Sequence, residues 1–182
     1  MDDAMWQLFQ FPLCPFSRKV RLLLGEKGIG YELVRESPWE QRDEFLDMNP
    51  AGRTPVMRHR DRDQTLCDSW AICEYFEETV EKNPMINGSA DNRAEIRRLV
   101  AWFDQQFFGD VTAPLLHERM KKRIVHRQPP DSNVLREAMR MDGFKAGFFI
   151  ATPAQQKDNA HAVQTPRGIP HPKRPGVHRP KH

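Results

Sequence analysis

Apolar residues in the first eighty positions occur in short runs that alternate with stretches of helical periodicity. A run such as Trp6–Phe11 is typical of a strand, whereas Val20, Leu23 and Leu24 recur on one helical face. The order βαβαββα, which predicts an α/β domain, comes from seven segments: Trp6–Phe11 (strand), Phe16–Lys27 (helix), Tyr31–Arg35 (strand), Glu40–Asp47 (helix), Pro55–Arg58 (strand), Gln64–Cys67 (strand) and Ser69–Val80 (helix).

The pattern becomes wholly helical after a break. Residues 83–91 are rich in turn and capping residues, which is typical of an interdomain linker. Ile96 and Phe107 belong to a long amphipathic face, and we expect Gly109 and Pro114 to bend or interrupt that helix. Further helices are predicted over Leu115–Arg127 and from Asp131 onward.

Periodicity is lost beyond Met141. The segment Gln164–His182 interleaves proline with arginine, lysine and histidine, and such a composition buries too little apolar surface to offset its ordering entropy. Four regions follow: a domain at 5–82, a linker at 83–91, a partial helical domain at 92–141 and a disordered basic tail at 142–182. The abrupt break favours the hypothesis that the tail is a frameshifted reading of the gene; a natural short variant is the alternative.

Charge and cysteine usage narrow the classes of function. The 182 residues carry a formal net charge of +3, but seven basic residues and one acid lie from Gly143 onward, leaving 21 basic against 24 acidic residues elsewhere. Because the positive charge is confined to the tail, it argues against a nucleic-acid-binding domain, which carries its basic patch on a folded face. No apolar run reaches membrane-spanning length, and Asp2 and Asp3 are unlike the basic start of a signal peptide. The chain has three cysteines, Cys14, Cys67 and Cys73, an odd number without the spacing of a disulfide framework. This usage indicates a protein of the reducing cytoplasm.

Cys14 has the most informative position among these cysteines. It falls between a predicted strand and a predicted helix, where unpaired backbone N–H groups and the helix dipole favour thiolate over thiol. Arg18, Lys19 and Arg21 add positive charge within about a turn. The position indicates a nucleophilic or glutathione-activating site, although a lone cysteine at a strand end also serves as a small packing residue.

Two later segments carry weaker signals of the same kind. Thr54-Pro55 opens a short strand after a turn, so its peptide bond is a candidate cis bond, although most such bonds are trans. Asp68-Ser69 precedes a periodic stretch and is predicted to cap a helix, where it could instead hold an anion.

Together these segments resemble the glutathione S-transferase superfamily. The matching motifs are CPFSRKVR at 14–21, NPAGRTPV at 49–56 and DSWAI at 68–72, and the resemblance extends over residues 5–139. Residues 93–104, RAEIRRLVAWFD, look like the alphaproteobacterial GST-like branch that includes FzlA, a protein that binds the division polymer FtsZ.

The resemblance implies a thioredoxin-like N-terminal domain, a truncated all-α C-terminal domain, and glutathione as a co-substrate with no prosthetic group. It implies that Cys14 or Ser17 faces the glutathione sulfur. Because Ser17 replaces the second cysteine of a dithiol motif, the site is monothiol: either Cys14 forms a mixed disulfide with glutathione or Ser17 stabilises its thiolate. The implied glutathione-binding residues are Arg53, Thr54, Pro55, Asp68 and Ser69.

Two other functions remain open beside the transferase. The same fold serves as a non-catalytic dimeric adaptor for FtsZ filaments, with Trp39 as a partner-binding residue, although packing of Trp39 against the sheet is its simpler role. Alternatively, the altered C-terminus leaves the product unstable. The tail histidines lack the spacing of a metal site, so no metal is expected.

Overall fold

The structure, a computed structural model, describes residues 5–140. The predicted tail at 142–182 lies outside these residues. Tertiary contacts divide the chain into two compact units, whose described parts are residues 5–104 and 105–140. The domain boundaries expected from the sequence stay a prediction.

The first unit is built around a four-stranded mixed sheet with the strand order β2-β1-β3-β4. Strand β1 pairs in parallel with β2, and β3 lies antiparallel to both β1 and β4. The elements are β1 (Trp6–Gln10), α1 (Pro15–Lys27), β2 (Tyr31–Arg35), α2 (Asp43–Met48), β3 (Val56–His59), β4 (Thr65–Cys67), α3 (Ser69–Thr79) and α4 (Ala90–Trp102). The predicted order βαβαββα is confirmed.

The start of α2 differs from the prediction. The sequence pattern begins this helix at Glu40, whereas the structure begins it at Asp43 after Arg42 in an extended N-cap conformation. Gln41 has a φ of 48°. Because a left-handed residue cannot continue a right-handed helix, the helix starts only after it, and Asp43 and Glu44 then place negative charge in the first turn.

The two faces of the sheet carry separate hydrophobic clusters because successive side chains of a strand point to opposite faces. Leu8 of β1 packs with the inner face of α1 and with α3, whereas Phe9 packs on the other face with Phe45 of α2. The larger cluster contains the buried residues Leu8, Val20, Leu24, Met57, Ile72 and Phe76.

Helix α1 ends in a left-handed turn at Gly28, which has a φ of 70°. The Gly28 N–H donates to the carbonyl of Gly25, and the Ile29 N–H donates to the carbonyl of Leu24. A residue with a Cβ is strained at this φ, so glycine suits the turn. The turn sends the chain directly into β2.

The helix around Gly109 and Pro114 differs from the sequence prediction, which expected these residues to bend or interrupt it. The structure has a π-helical segment over Phe103–Thr112, then α5 (Ala113–Leu116), a second π-helical segment over His117–Lys121, and α6 (Lys122–Ile124). Gly109 therefore does not end the helix, and Pro114 lies just after the junction of the π-helical segment with α5, where Thr112 is helical, so its missing N–H removes one helical hydrogen bond. A last helix covers residues 132–140.

Glu118 ties the second unit together. Its carboxylate is buried, accepts the backbone N–H of Asp131 at 2.6 Å and pairs with Lys122 at 2.7 Å. The N–H bond and the neighbouring ammonium lower the pKa of Glu118.

Among residues 5–140, none of the helices has the length and apolar character needed to span a bilayer.

Candidate functional site

Helix N-termini meet one edge of the sheet in the first unit. Because β1 and β4 are both antiparallel to β3, their carboxyl ends lie at the same edge. Helix α1 begins after β1, and α3 begins directly after β4, so both helices direct their positive ends to this edge. The sequence-predicted residues from three separate segments are thereby placed along one rim.

Cys14 occupies the N-cap position of α1. Its backbone is extended, with a φ of −75° and a ψ of 119°, and Pro15 begins the helix. Its carbonyl accepts the Arg18 N–H at 3.0 Å, while its own N–H donates to the carbonyl of Phe11. The half-buried Sγ lies 3.6 Å from the carbonyl oxygen of Thr54. A thiol at this position is next to the free N–H groups of the first turn.

Ser17 lies one turn further along the inner face of α1. It is fully buried in line with Val20 and Leu24, and its hydroxyl has no hydrogen-bond partner among the described residues. A buried hydroxyl without a partner is uncommon in folded proteins. Of the two sequence-predicted catalytic residues, Cys14 is therefore the more accessible, and Ser17 keeps an unused donor.

The Thr54–Pro55 peptide bond is cis, as predicted. Thr54 and Pro55 are both buried, and Cys14 contacts the Thr54 carbonyl. Arg53 is exposed, and its carbonyl accepts the Asn49 side-chain N–H at 2.8 Å. The loop therefore presents its backbone to the rim while the Arg53 side chain extends into solvent.

Asn49 organises this loop, although the sequence did not indicate it as a residue that supports the site. It is buried, its Nδ2 donates to the carbonyl of Arg53, and its Oδ1 accepts the Ala51 N–H at 3.2 Å. Gly52 has a φ of 61°, and the Gln41 amide lies 2.9 Å from where its Cβ would be. The signal in the sequence was the turn NPAG itself, in which an asparagine side chain commonly closes the turn.

Asp68 and Ser69 form the N-terminus of α3. Asp68 caps the helix, since its Oδ1 accepts the Trp70 N–H at 2.7 Å. Its φ is 75°, a conformation that is rare outside glycine and that concentrates at functional sites. Asp68 is exposed and Ser69 is buried. A carboxylate beside a helix N-terminus offers a recognition point for a ligand that carries both an ammonium and a carboxylate.

The other two cysteines differ from Cys14. Burial raises the pKa of the Cys73 thiol to about 11. Burial and the Asp68 carboxylate also raise the pKa of Cys67, whose Sγ donates to the carbonyl of Met48. Both groups are therefore neutral thiols at neutral pH and poor nucleophiles.

Trp39 lies in the loop between β2 and α2. Its ring packs edge-on against Phe11 with the centroids 5.2 Å apart, and the residue is half-buried. The loop is held by Glu36, which is buried and bonded through both carboxylate oxygens to Arg42. Trp39 thus makes a packing contact and keeps part of its surface accessible, and its role in binding a partner stays a prediction.

Within residues 5–140, His, Cys, Asp and Glu side chains form no group of three that could hold a metal ion. The histidines His117 and His126 have ring centroids 6.5 Å apart, and both are exposed. The tail histidines lie outside the described residues.

Comparisons with known proteins agree with this geometry. Residues 8–84 match the glutathione S-transferase N-terminal domain family. FtsZ-localized protein A of Caulobacter vibrioides is 42% identical over 140 residues, which is 74% of this chain and 61% of that protein.

Two solved structures are similar in sequence and fold. A glutathione S-transferase from Rhodospirillum rubrum F11 has a TM-score of 0.75 and 42% identity, covering 79% of this chain and 64% of that one. FzlA from C. crescentus has a TM-score of 0.71 and 40% identity, covering 75% of this chain and 63% of that one. The chain therefore spans less than two thirds of the length of these relatives. These matches and the fold place the chain in the glutathione S-transferase superfamily.

Proposed function

We propose that the chain binds reduced glutathione at the rim formed by the N-termini of α1 and α3 and transfers it through a monothiol site in the cytoplasm. The observation that carries this proposal is the contact between Cys14 and the carbonyl of Thr54, next to the cis Pro55. The backbone of Thr54 pairs with the cysteinyl moiety of glutathione in this arrangement. Glutathione is the co-substrate, and no prosthetic group takes part.

Asp68 and Ser69 hold the γ-glutamyl end in this proposal. The exposed Asp68 carboxylate suits the glutamyl ammonium, and the start of α3 suits the glutamyl carboxylate because unpaired N–H groups and the helix dipole favour an anion. Arg53, exposed at the same loop, supplies a positive charge for the glycyl carboxylate end. The tripeptide then lies along the rim with its sulfur towards Cys14.

Cys14 is the group that exchanges sulfur. Its thiolate attacks a glutathionyl mixed disulfide, forms a new S–S bond with the glutathionyl sulfur and releases the other sulfur as a thiolate. A second glutathione thiolate then attacks this bond, leaves as glutathione disulfide and restores Cys14. The competing chemistry uses the unpartnered Ser17 hydroxyl as a donor to the glutathione thiolate, and Cys14→Ser leaves that route intact.

Isothermal titration of reduced glutathione into the full chain tests the binding site. We expect saturable binding that Ser69→Ala weakens. Ser89→Ala is a matched control, because the Ser89 hydroxyl also lies at a helix N-terminus, where it accepts the Asn92 N–H of α4. A folded protein that releases no heat with glutathione overturns the proposal.

A second candidate function is favoured by the similarity to FtsZ-localized protein A. In this function the chain is a homodimeric, non-catalytic adaptor that binds FtsZ filaments, with Trp39 at the contact. Sedimentation of the chain with assembled FtsZ tests it. The adaptor function predicts that wild type and Cys14→Ser pellet equally with the polymer, and a chain that stays in the supernatant excludes it. Analytical ultracentrifugation measures whether the chain forms the homodimer.

A further inference from the structure

A cavity of about 440 Å³ lies within the first unit, at the end of the sheet opposite to the glutathione rim. Trp6, the first residue of β1, lines it, whereas Cys14 lies beyond Gln10, the last residue of that strand. A five-residue strand rises about 3.3 Å per residue, so the two regions are separated by the length of β1. The volume falls within the range of pockets that hold small organic ligands.

An aromatic cluster forms one wall of the cavity. The Trp6 indole makes edge-on contacts with three rings, at centroid distances of 4.8 Å to His59, 5.3 Å to Phe76 and 6.1 Å to Tyr75. Aliphatic side chains of Ile29 and Val80 also line the space. Because each ring is held by its neighbours, the wall is a preformed apolar surface for a flat ligand.

Two of the polar side chains that line the cavity, those of His59 and Arg62, are donors, whereas the Thr79 hydroxyl, which also lines it, already donates to the carbonyl of Tyr75. The Nδ1 of the buried His59 accepts the Asp61 N–H at 3.1 Å, so its Nε2 carries the proton of the neutral ring and is a hydrogen-bond donor. Arg62 lines the cavity, is exposed and makes no ion pair with a described residue. The carboxylates of Asp61 and Asp63 flank Arg62 in sequence, but no acidic residue lines the cavity.

We infer that this cavity binds a planar aromatic carboxylate as a non-substrate ligand. The ring lies against Trp6, and the carboxylate accepts hydrogen bonds from His59 Nε2–H and the Arg62 guanidinium. An apolar wall with donors and no lining acid favours this class over aromatic amines and neutral polar ligands. The site shares no residue with the glutathione rim, so it is independent of the proposed transferase function.

Gly30 provides a direct way to close the cavity. It lines the space, and a Cβ built on it meets no heavy atom within 4 Å. Gly30→Leu therefore places a side chain at the cavity wall without a clash at its Cβ. Gly25→Leu is the matched control, because a Cβ at Gly25 also meets nothing within 4 Å and Gly25 does not line the cavity.

The test titrates the full chain with 2-naphthoate and follows amide and indole N–H shifts by NMR. We expect saturable binding that shifts the Trp6 indole signal, that persists with saturating reduced glutathione, and that weakens by about tenfold for uncharged 2-naphthamide. Gly30→Leu should abolish binding, Arg62→Gln should weaken it several-fold, and Gly25→Leu should leave it unchanged.

Three results overturn the inference: no binding of 2-naphthoate to wild type, equal binding to Gly30→Leu, or equal affinity for 2-naphthamide. If circular dichroism shows that Gly30→Leu does not fold, the chemical-shift map of wild type and the affinity of Arg62→Gln test the inference instead. Shifts that avoid Trp6 and His59, or an affinity unaffected by Arg62→Gln, then place the ligand elsewhere and reject the site.

Discussion

Cys14 and Thr54 are 40 residues apart in sequence, yet the Sγ of Cys14 lies 3.6 Å from the carbonyl oxygen of Thr54. The antiparallel pairing of β1 with β3 produces this contact, because Phe9 is opposite Val56 and the chain segments just beyond them meet at the sheet edge. A thiol at a helix N-terminus and the backbone of the loop before the cis Pro55 are thereby side by side. The sulfur exchange proposed for this chain requires both parts in this arrangement.

We expect Cys14 to be the cysteine that reacts with glutathione disulfide at neutral pH. Burial raises the pKa of Cys73 to about 11 and also raises that of Cys67, so both remain unreactive thiols. Intact-protein mass spectrometry should show the addition of one glutathionyl group to wild type and to Cys67→Ser, and none to Cys14→Ser. One glutathionyl group on Cys14→Ser would contradict the assignment.

Asp68→Asn separates the helix-capping role of Asp68 from its proposed role in binding glutathione. Asparagine also accepts the Trp70 N–H, so the helix cap and the unfolding free energy should change little. The charge that we propose for the glutamyl ammonium is lost, and glutathione affinity should fall by roughly tenfold or more. Titration calorimetry measures the glutathione affinity, and urea denaturation measures the unfolding free energy.

Asp91→Asn is the control for Asp68→Asn, since Asp91 is an exposed acid in the first turn of α4. It should leave glutathione affinity unchanged. Equal affinity of wild type and Asp68→Asn would show that the carboxylate does not contact the ligand.

Much of the first unit could be predicted from the sequence because its apolar pattern is periodic and its turn residues are specific. The strand at Tyr31–Arg35 has the same bounds in the structure, and the cis bond before Pro55 was also predicted. The predicted helix start at Glu40 was wrong because the left-handed Gln41 overrides local propensity. The π-helical turns around Gly109 depend on backbone geometry that no residue pattern specifies.

The sequence indicated residues that the structure brings to one rim, but it did not indicate how accessible each of them is, and their roles stay predictions. The motifs indicated both Cys14 and Ser17, but only the packing of α1 against the sheet shows that Ser17 is buried in line with Val20. Asn49 was read as part of a turn, and its two bonds across the loop depend on the folded backbone. Contacts between segments distant in sequence thus account for what was missed.

Trp39→Ala should weaken binding to FtsZ filaments if the adaptor function holds. The ring is half-buried against Phe11 and leaves part of its surface accessible, as expected of an anchoring aromatic. Loss of an interface anchor costs about 2 kcal/mol or more, which is roughly thirtyfold in affinity. Pelleting with FtsZ polymer at a series of polymer concentrations measures the change.

Two controls accompany Trp39→Ala. Trp39→Phe keeps an aromatic edge against Phe11 and should retain part of the binding. Leu33→Ala removes another exposed apolar side chain, on β2, and should have no effect. Pelleting of Trp39→Ala at the wild-type level would remove Trp39 from the contact.

The buried ion pair between Lys27 and Glu77 should be the main source of acid sensitivity in the first unit. Lys27 is fully buried, its Nζ lies 3.0 Å from Glu77 Oε2, and it donates to the carbonyl of Val80 at 2.9 Å. Burial opposes ionisation of Glu77, but the Ile86 N–H and the Lys27 ammonium outweigh it and lower the pKa of the carboxyl. A carboxyl with a lowered folded-state pKa stabilises the fold above its ordinary pKa of 4.5 and loses that contribution as the pH falls through the folded-state value.

Urea denaturation from pH 7 down to pH 3 measures this dependence. Lys27→Met leaves the Glu77 carboxylate without its cation and should lower the unfolding free energy by about 3–5 kcal/mol at pH 7, with a smaller loss at low pH. Lys27→Met combined with Glu77→Leu should recover part of this loss, because a buried pair of apolar side chains replaces the ion pair, while the Ile86 N–H loses its acceptor. Glu81→Gln changes an exposed acid nearby and should leave the profile unchanged. An identical pH profile for wild type and Lys27→Met would show that the pair does not govern acid stability.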